Sequence, residues 1–440
     1  MKSIFNFSIF YFVCFVEIFS QSWSTVGAGM NGSTDELRAL AIYNGELYAG
    51  GLFFNAGGSP ANNIAKWNGI SWSAVGVSGT SGRVQALCVY NGELYAGGGF
   101  NYADGKKVNC IARWNGTTWD SVGSGVNSAI WSLCVYNGEL YAGGTFTTAG
   151  SMNTGVVAKW NGTNWSDVGG GIPGTYVFSL EAFNNNLYVG GDFLGPNTIV
   201  SKNISEWNGT SWDSLGQGLN NQVYSLCVYN GELYAGGGFY GGLFNIAKWN
   251  GIFWDSVGVN TTSSVVLSLA NYNGELYAGG NLSFAGGVAV KNIAKWNGSI
   301  WSSLGLGVDS GGVWCMVADS ATNSLYVGGS FKYAGGIVTN KIAKWSTPTG
   351  INENRLDQYV ISIYPNPFNI SATIEIAGKT IPSSDFVLFD ELGREIKRVA
   401  VKNGERTFVI QKENLQNGIY FYSLIAKDKR ILSRGKLIVQ

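Results

Sequence analysis

The chain has 440 residues, enough for two or three domains, and 14% of them are aromatic, including 16 tryptophans, which excludes an intrinsically disordered chain. The 28 basic and 28 acidic residues cancel, so no basic field is available for nucleic acid or an anionic membrane. Histidine is absent, which excludes histidine general bases, Ser-His-Asp and Cys-His nucleophiles, and histidine-ligated metals. No Asp-rich calcium loop occurs either, so we expect no metal and no cofactor.

Residues 1–20 have the pattern of a secretory signal peptide. Lys2 precedes an apolar run from Ile4 to Phe19, and the small residue Ser20 follows it. A membrane span needs about twenty uninterrupted apolar residues, whereas this run is shorter and contains Glu17. No other stretch is long and apolar enough to cross a bilayer. The sequence therefore predicts an exported protein without a membrane span.

One unit is repeated seven times between residues 21 and 345. The motif LYAGG or LYVGG recurs every 43 to 49 residues, with its tyrosine at Tyr48, Tyr95, Tyr141, Tyr188, Tyr234, Tyr277 and Tyr326. Each unit contains short β-type runs, and Asn-Gly, a strong hairpin signal, separates the first from the second in most units and the third from the fourth. A period of this length with four strands per unit predicts an all-β fold, a seven-bladed β-propeller.

The two ends of the repeat predict how the ring closes. Residues 22–27 (SWSTVG) match a fourth strand that has no first three strands before it. The last unit stops after its third strand, KIAKW at 341–345. We predict that the N-terminal strand completes the last blade, which would leave no open strand edge.

The repeat resembles the kelch and galactose-oxidase-type propellers. The shared features are a double glycine at the end of the second strand and a tryptophan pair in the third and fourth, such as Gly97-Gly98, Trp114 and Trp119. The resemblance covers roughly 22–345 and implies the fold. It implies no activity, because nothing here matches the copper site of galactose oxidase. Since both tryptophans recur once per unit, we predict that they pack between blades.

A different domain follows a polar linker at 346–358. Residues 359–440 contain short strands separated by turns, which predict a small Ig-like β-sandwich. This tail resembles the C-terminal sorting domain of the type IX secretion system of Bacteroidota in four segments: Tyr364-Pro365-Asn366-Pro367-Phe368, Val387-Leu388-Phe389-Asp390 with Gly393, Gly418-Ile419-Tyr420 and Gly435-Lys436-Leu437-Ile438-Val439.

The resemblance implies that the type IX machinery is a partner of the chain. It also implies export across the outer membrane, removal of the tail, and either release or attachment to surface lipopolysaccharide. We therefore expect a secreted or cell-surface protein, anchored at the outer membrane after sorting. The alternative is an adhesive Ig-like module that stays attached to the propeller.

Five cysteines follow residue 20, and we predict that they are buried and inert. They are Cys88, Cys110, Cys134, Cys227 and Cys315. Three of them, Cys88, Cys134 and Cys227, occupy equivalent places in different units, too far apart for a disulfide in a propeller. Alanine fills the same place in two other units.

One rim of the predicted propeller varies in sequence, and we expect the ligand there. The turns between the first and second strands and between the third and fourth are nearly constant. The loops between the second and third strands differ in almost every unit, and the loop of the fifth unit is shortened to YGGLF. A rigid scaffold with variable loops on one rim is a common binding surface.

The candidate site is one position near the start of each first strand, at the mouth of the central channel. In unit order this position contains Arg38, Gln85, Trp131, Phe178, Tyr224, Leu267 and Trp314. Four aromatic side chains there could stack on sugar rings or grip a peptide, with Arg38 and Gln85 adding directional hydrogen bonds. Our candidate ligand-binding residues are therefore Arg38, Gln85, Trp131, Phe178, Tyr224 and Trp314. The alternative is that they fill the channel as apolar packing.

The leading functional hypothesis is a monomeric, non-enzymatic binding or adhesion protein for an extracellular glycan or protein. Two alternatives stay open. One is a glycan-degrading enzyme that uses carboxylates such as Asp104, Glu181 and Asp192, since paired carboxylates cleave glycosides without histidine. The other is an architectural surface component, which would have no small-ligand pocket.

Overall fold

A computed structural model of the chain describes residues 21–31, 36–195, 201–243, 245–258, 262, 264–346, 359–378, 381–390, 393–427 and 431–440. The predicted signal peptide and the predicted linker, apart from Ser346, lie outside these residues. The chain divides into two compact units, Met1–Thr347 and Pro348–Gln440.

The described part of the first unit contains seven antiparallel sheets of four strands and no α-helix. In sheets 1 to 6, four strands pair in chain order. The first three sheets consist of Glu36–Tyr43, Glu46–Leu52, Ile64–Trp67 and Trp72–Ala74; Val84–Tyr90, Glu93–Gly98, Ile111–Trp114 and Trp119–Ser121; and Ile130–Tyr136, Glu139–Gly144, Val157–Trp160 and Trp165–Asp167. The next three consist of Gly174–Phe183, Asn186–Phe193, Ile204–Trp207 and Trp212–Ser214; Val223–Tyr229, Glu232–Gly237, Ile246–Trp249 and Trp254–Ser256; and Val266–Tyr272, Glu275–Gly280, Ile293–Trp296 and Trp301–Ser303.

Sheet 7 combines the two ends of the unit. Its strands are Val313–Asp319, Ser324–Gly329, Ile342–Ser346 and, at the edge, Ser22–Thr25. The N-terminal strand pairs antiparallel with the third strand, and Trp23 lies opposite Trp345. Ser346, which the sequence assigned to the linker, is the last residue of this third strand.

The hairpins form where the sequence places Asn-Gly. In sheet 2, for example, Asn91 and Gly92 have φ angles of 48° and 76° between the first two strands. Two consecutive positive φ values give the turn a twist that matches the twist of the paired strands. Asparagine and glycine tolerate this region better than other residues do, so the dipeptide sets the strand register in five of the seven sheets.

In six of the seven sheets, a tryptophan at the first or second position of the fourth strand links its sheet to the preceding one. Trp119 of sheet 2 is fully buried, and its indole Nε1 donates a hydrogen bond to the carbonyl of Val75, 3.1 Å away, just after the fourth strand of sheet 1. Five further tryptophans make the equivalent bond, namely Trp72 to Val26, Trp165 to Val122, Trp212 to Val168, Trp301 to Val257 and Trp23 to Leu304. The bonds of Trp23 and Trp72 join sheet 7 to sheets 6 and 1. Within the described residues, Trp254 of sheet 5 departs from the pattern, since its Nε1 is buried without a partner.

The variable rim has a more regular backbone than its sequence suggests. In sheets 1, 2, 3, 6 and 7, the loop between the second and third strands forms a small hairpin of two-residue strands: Asn55–Ala56 with Ser59–Pro60, Tyr102–Ala103 with Lys106–Lys107, Thr148–Ala149 with Met152–Asn153, Phe284–Ala285 with Val288–Ala289, and Tyr333–Ala334 with Ile337–Val338. The first strand of each hairpin ends in a buried alanine. Val308–Asp309 adds a third strand to the hairpin of sheet 7. Sheet 5 has a single 3₁₀ turn instead, Gly241–Leu243.

The second unit consists of two antiparallel sheets around one core. One sheet contains Tyr359–Tyr364, Ser371–Gly378 and Thr407–Gln411, and the other contains Glu395–Val401, Ser384–Phe389, Gly418–Ala426 and Ile431–Val439. Ile374 of the first sheet and Phe386 and Leu424 of the second are buried in this core. The run FVLFDELGREIKRV, which has no strong turn signal apart from its glycine, contributes to two strands that pair with each other. Gly393, with a φ of 77°, lies between them.

The indole hydrogen bonds generate a stability prediction. We expect Trp119→Phe and Trp165→Phe to lower the free energy of unfolding by about 1–3 kcal/mol more than Trp254→Phe, because they leave a buried carbonyl unsatisfied. Trp254→Phe is the matched control, since it removes an Nε1 that has no partner. Urea denaturation of the three variants measures the difference. Equal losses in all three would show that ring packing, and not the hydrogen bond, determines the stability of these interfaces.

Candidate functional site

Each candidate residue lies at a β-bulge, which the sequence analysis did not predict. In sheet 2, Val84 pairs with Gly98 and Ala86 pairs with Gly97, so Gln85 has no partner across the ladder. The same register shift occurs in all seven first strands, at Arg38, Gln85, Trp131, Phe178, Tyr224, Leu267 and Trp314. A bulge turns the side chain of the extra residue out of the normal alternation. The seven positions are therefore equivalent in backbone as well as in sequence.

The double glycine of the LYAGG motif makes room for this bulge. A Cβ atom on Gly98 would overlap the carbonyl oxygen of Arg83, where the first strand bends at the bulge. A Cβ atom on Gly97 would overlap the side chain of Ile130 in the next sheet. Gly98 therefore permits a close approach between two strands of its own sheet, and Gly97 permits a close approach between two sheets. The double glycine of the LYAGG motif is therefore a sequence signal for the bulge.

Three candidates from consecutive sheets are in contact. The ring of Phe178 in sheet 4 lies 5.6 Å from that of Trp131 in sheet 3 and 5.0 Å from that of Tyr224 in sheet 5, measured between centroids. The first strand of sheet 4 begins early, at Gly174, and this extension stacks Tyr176 on Phe178 at 5.2 Å. We call Trp131, Tyr176, Phe178 and Tyr224 the aromatic arc.

Within the aromatic arc, Phe178 is the packing centre, because three rings surround it. Tyr224 is held by its hydroxyl, which donates to Oε1 of Gln222, whose Nε2 donates to Asp192 at 3.0 Å. Burial, followed by the charge of Asp192, raises the pKa of Tyr224. The indole Nε1 of Trp131 has no hydrogen-bond partner among the described residues. Sequence reasoning missed Tyr176 and Gln222, which both lie two positions before a bulge.

The remaining contacts form a charged group on the other sheets. The guanidinium carbon of Arg38 in sheet 1 lies 3.1 Å from the ring centre of Trp314 in sheet 7. Glu36 accepts from Nη2 of Arg38 at 3.0 Å and pairs with Nε of Arg83 at 2.8 Å. Burial lowers the pKa of Arg38, and the charge of Glu36 opposes this effect.

Trp314 is also held by a hydrogen bond to a residue that follows the second strand of sheet 7. Its Nε1 donates to Oγ of Ser330 at 3.2 Å, and Nζ of Lys341 donates to the carbonyl of Ser330 at 3.0 Å. We call Arg38, Arg83, Lys341 and Glu36 the basic cluster. The structure therefore divides five of the six candidates between the aromatic arc and the Arg38–Trp314 contact. The sixth, Gln85, is 8% exposed, so little of its amide is accessible to a ligand.

A cavity of about 370 Å³ lies beside the aromatic arc. Its lining includes Thr175, which precedes Tyr176 in the chain, and Asp192, which accepts a hydrogen bond from Gln222. Lys202 and Asn220 line another part. The lining of the cavity therefore contains polar groups of both charges, and one of them, Asp192, is bonded through Gln222 to the aromatic arc.

A second layer of side chains lies three positions after the bulges. It contains Cys88, Cys134, Glu181 and Cys227 in sheets 2 to 5. The five described cysteines are free; Cys110, Cys227 and Cys315 are buried as predicted, whereas Cys88 and Cys134 are half-buried. Burial, together with the charge of Glu181, raises the pKa of Cys134 and of Cys227 to about 12. The thiols therefore stay protonated at neutral pH, which makes them poor nucleophiles.

Glu181 is a carboxyl group among these thiols, and burial raises its pKa to about 7. In the unfolded chain its pKa is about 4.3, so the folded state holds the extra proton between these two values. The free energy of unfolding should therefore fall as the pH rises from about 4.5 to 7, and then level off.

We expect Glu181→Gln to remove this pH dependence. The variant should match the parent at pH 4.5 and be more stable by up to about 3 kcal/mol at pH 8, as measured by denaturant titration at both pH values. The control is Glu139→Gln, which removes a surface carboxylate paired with Lys159 at 2.8 Å and should change stability by less than about 1 kcal/mol. A stability difference that is the same at pH 4.5 and pH 8 would contradict the raised pKa.

Two further properties concern the described part of the chain as a whole. There, no group of three or more histidine, cysteine, aspartate or glutamate residues could hold a metal ion. No helix in that part is long and apolar enough to cross a membrane.

Solved structures with similarity to the chain include two of the extracellular domain of BT4673 from B. thetaiotaomicron, described as a one-component or a hybrid two-component system. The chain is 12% identical to each, with TM-scores of 0.48 and 0.47 over 96% of its own length. It spans only 58% and 59% of those two chains. An α-L-arabinofuranosidase (CtGH43) from Clostridium thermocellum is 13% identical, with a TM-score of 0.24, over 62% of this chain and 93% of that one. No curated protein sequence matches the chain.

The tail matches a family model. Residues 362–440 match the secretion system C-terminal sorting domain. This range begins inside the first strand of the second unit and extends to the last residue of the sequence. Residues 362–440 are therefore a type IX C-terminal sorting domain, and the chain is a secreted or cell-surface protein.

Proposed function

We propose that the first unit is a closed, monomeric seven-bladed β-propeller, related to the kelch type, that binds an extracellular glycan or protein at its channel mouth. Three observations support the ring. Seven sheets of the same topology follow one another, and the N-terminal strand pairs with the last of them. Indole hydrogen bonds connect sheet 7 to both sheet 6 and sheet 1.

The main support for the binding function is that the bulged residues lie close to one another. They lie at the same end of seven first strands, and neighbours from different sheets touch, as Trp131 touches Phe178. Six of the seven are only half-buried, so part of each of these side chains, Leu267 included, remains accessible. Half-exposed aromatic side chains beside polar groups are typical of ligand sites.

The contacts and separation of the three acids considered for catalysis support a non-enzymatic role. Both carboxylate oxygens of Asp104 accept backbone N–H groups, from Val77, Ser78 and Gly79, and so hold a loop together. Asp192 pairs in register with Tyr176, five residues before Glu181, which separates the two acids by about 13–16 Å along the strand. Catalytic carboxylate pairs in glycosidases lie about 5–10 Å apart.

The sorting domain supports surface display. We propose that the type IX machinery recognises residues 359–440, exports the protein, removes this tail and leaves the propeller anchored at the outer membrane. The machinery is then the partner of the second unit, and the extracellular ligand is the partner of the first.

The binding function is tested with Trp131→Ala, which removes one end of the aromatic arc. A glycan array and an extract of surface proteins first supply a ligand for the full-length protein. We expect Trp131→Ala to weaken its binding by about 1–3 kcal/mol, as measured by calorimetry, because a stacking surface is lost. The matched control is Leu267→Ala, at the same bulge of sheet 6 but outside the aromatic arc. Full affinity in Trp131→Ala together with a large drop in melting temperature would show that the arc only fills the channel.

The export route is tested by removing residues 359–440. Since every sheet of the first unit is complete without them, we expect a folded propeller that accumulates in the periplasm. Protease treatment of intact cells, followed by immunoblotting, distinguishes periplasmic from surface protein. Display of the truncated chain at the level of the full chain would contradict the proposed role of the tail.

A further inference from the structure

We infer that the channel mouth selects glycans that carry anionic groups, carboxylate or sulfate, on the sugar ring. This inference rests on the proposed binding function and specifies the ligand class. Its starting point is the composition of the basic cluster, in which three cationic side chains accompany one carboxylate. Arg38 and Arg83 share the carboxylate of Glu36, and Lys341 donates to a neutral carbonyl.

The shared carboxylate leaves this part of the mouth positively charged. One oxygen of Glu36 accepts from Arg38 and the other pairs with Arg83. The side chains of Arg38 and Arg83 remain 21% and 37% exposed. One carboxylate balances only one of the two guanidinium groups, so the three side chains keep a net positive charge, and the exposed parts of Arg38 and Arg83 are open to an anion.

The fold does not require these cations, because equivalent positions contain other residues. Lys341 occupies a place that is asparagine in four other sheets, at Asn63, Asn203, Asn245 and Asn292. In those sheets the asparagine donates to a carbonyl of a following loop, as Asn63 does to Thr80 at 2.8 Å. Lys341 adopts a φ of 73°, in the region that asparagine tolerates better than lysine. Sheet 7 thus replaces a structural amide with a cation near Trp314.

The three cations and the four rings of the aromatic arc lie on different arcs of the mouth. The basic cluster belongs to sheets 7, 1 and 2, while the aromatic arc belongs to sheets 3, 4 and 5. A ligand at the mouth therefore meets rings suited to stacking on a sugar on one side and guanidinium groups on the other. Each residue of an acidic polysaccharide has a sugar face that can stack on the rings and an anionic group that can pair with the guanidinium groups. The basic cluster would repel a cationic ligand.

The experiment uses the full-length protein and two matched pairs of polymers. Polygalacturonate with its methyl ester tests carboxylates, and dextran sulfate with dextran tests sulfates. We expect at least tenfold tighter binding to one acidic polymer than to its neutral partner in 0.15 M NaCl. Arg83→Gln should reduce this preference at least fivefold. The matched control is Arg113→Gln, which removes a similarly exposed cation (39%) on the third strand of sheet 2. Arg113 pairs with Glu93, which lies opposite Tyr90, at the other end of the first strand from the bulge.

Each other outcome has a distinct meaning. Equal binding to acidic and neutral polymers, weakened by Trp131→Ala, would leave the proposed function standing and overturn the anionic preference. An equal loss in Arg83→Gln and Arg113→Gln would show nonspecific ion exchange and also overturn it. Binding to none of the four polymers would overturn the inference, while the array and extract screen tests the proposed function separately. Polyglutamate that binds as tightly as the acidic polymers would replace the glycan class with acidic peptides.

Discussion

The structure of the first unit depends on a hydrogen bond between the indole of a fourth-strand tryptophan and a carbonyl of the preceding sheet. Trp119 and Val75 show the arrangement, in which a buried ring provides apolar area and its Nε1 satisfies a carbonyl that no strand pairs. The bond recurs at six of the seven interfaces between the described sheets, and the interface of sheets 4 and 5 lacks it because Nε1 of Trp254 has no partner. Trp23 makes it from the other end of the chain, so the last interface uses the same chemistry as the others.

The double glycine acts at the first and second strands of the same sheets. Without Cβ atoms, Gly97 and Gly98 let the second strand approach both the bulged first strand and the next sheet. The bulge then releases one side chain per sheet from the ladder, and packing between sheets does not determine its identity. Arginine, glutamine, leucine and aromatic residues are therefore all compatible with one backbone. A site can vary there while the scaffold remains constant.

The residues of the proposed binding site are thus distinct from those that repeat in the scaffold. The tryptophan pairs and glycines repeat in almost every unit, whereas the aromatic arc and the basic cluster use places where the repeat varies. Glu181 is an exception, since it brings an acid into a layer of cysteines and burial raises its pKa to about 7. We find no structural requirement for this acid. The second unit adds export, through a sorting domain at residues 362–440.

The sequence by itself determined the period, the four strands of each unit, the N-terminal strand that pairs in sheet 7 and the sorting domain, because turn and strand signals are local and recur. It also identified the variable position at Arg38 and its equivalents. Only the tertiary structure decided which of these side chains meet: that Tyr176 covers Phe178, that Glu36 joins Arg38 to Arg83, and that Gln85 is buried. Some of these contacts join residues of different sheets, and Tyr176 lies in the part of its strand that begins early. No local sequence pattern encodes a distance between sheets.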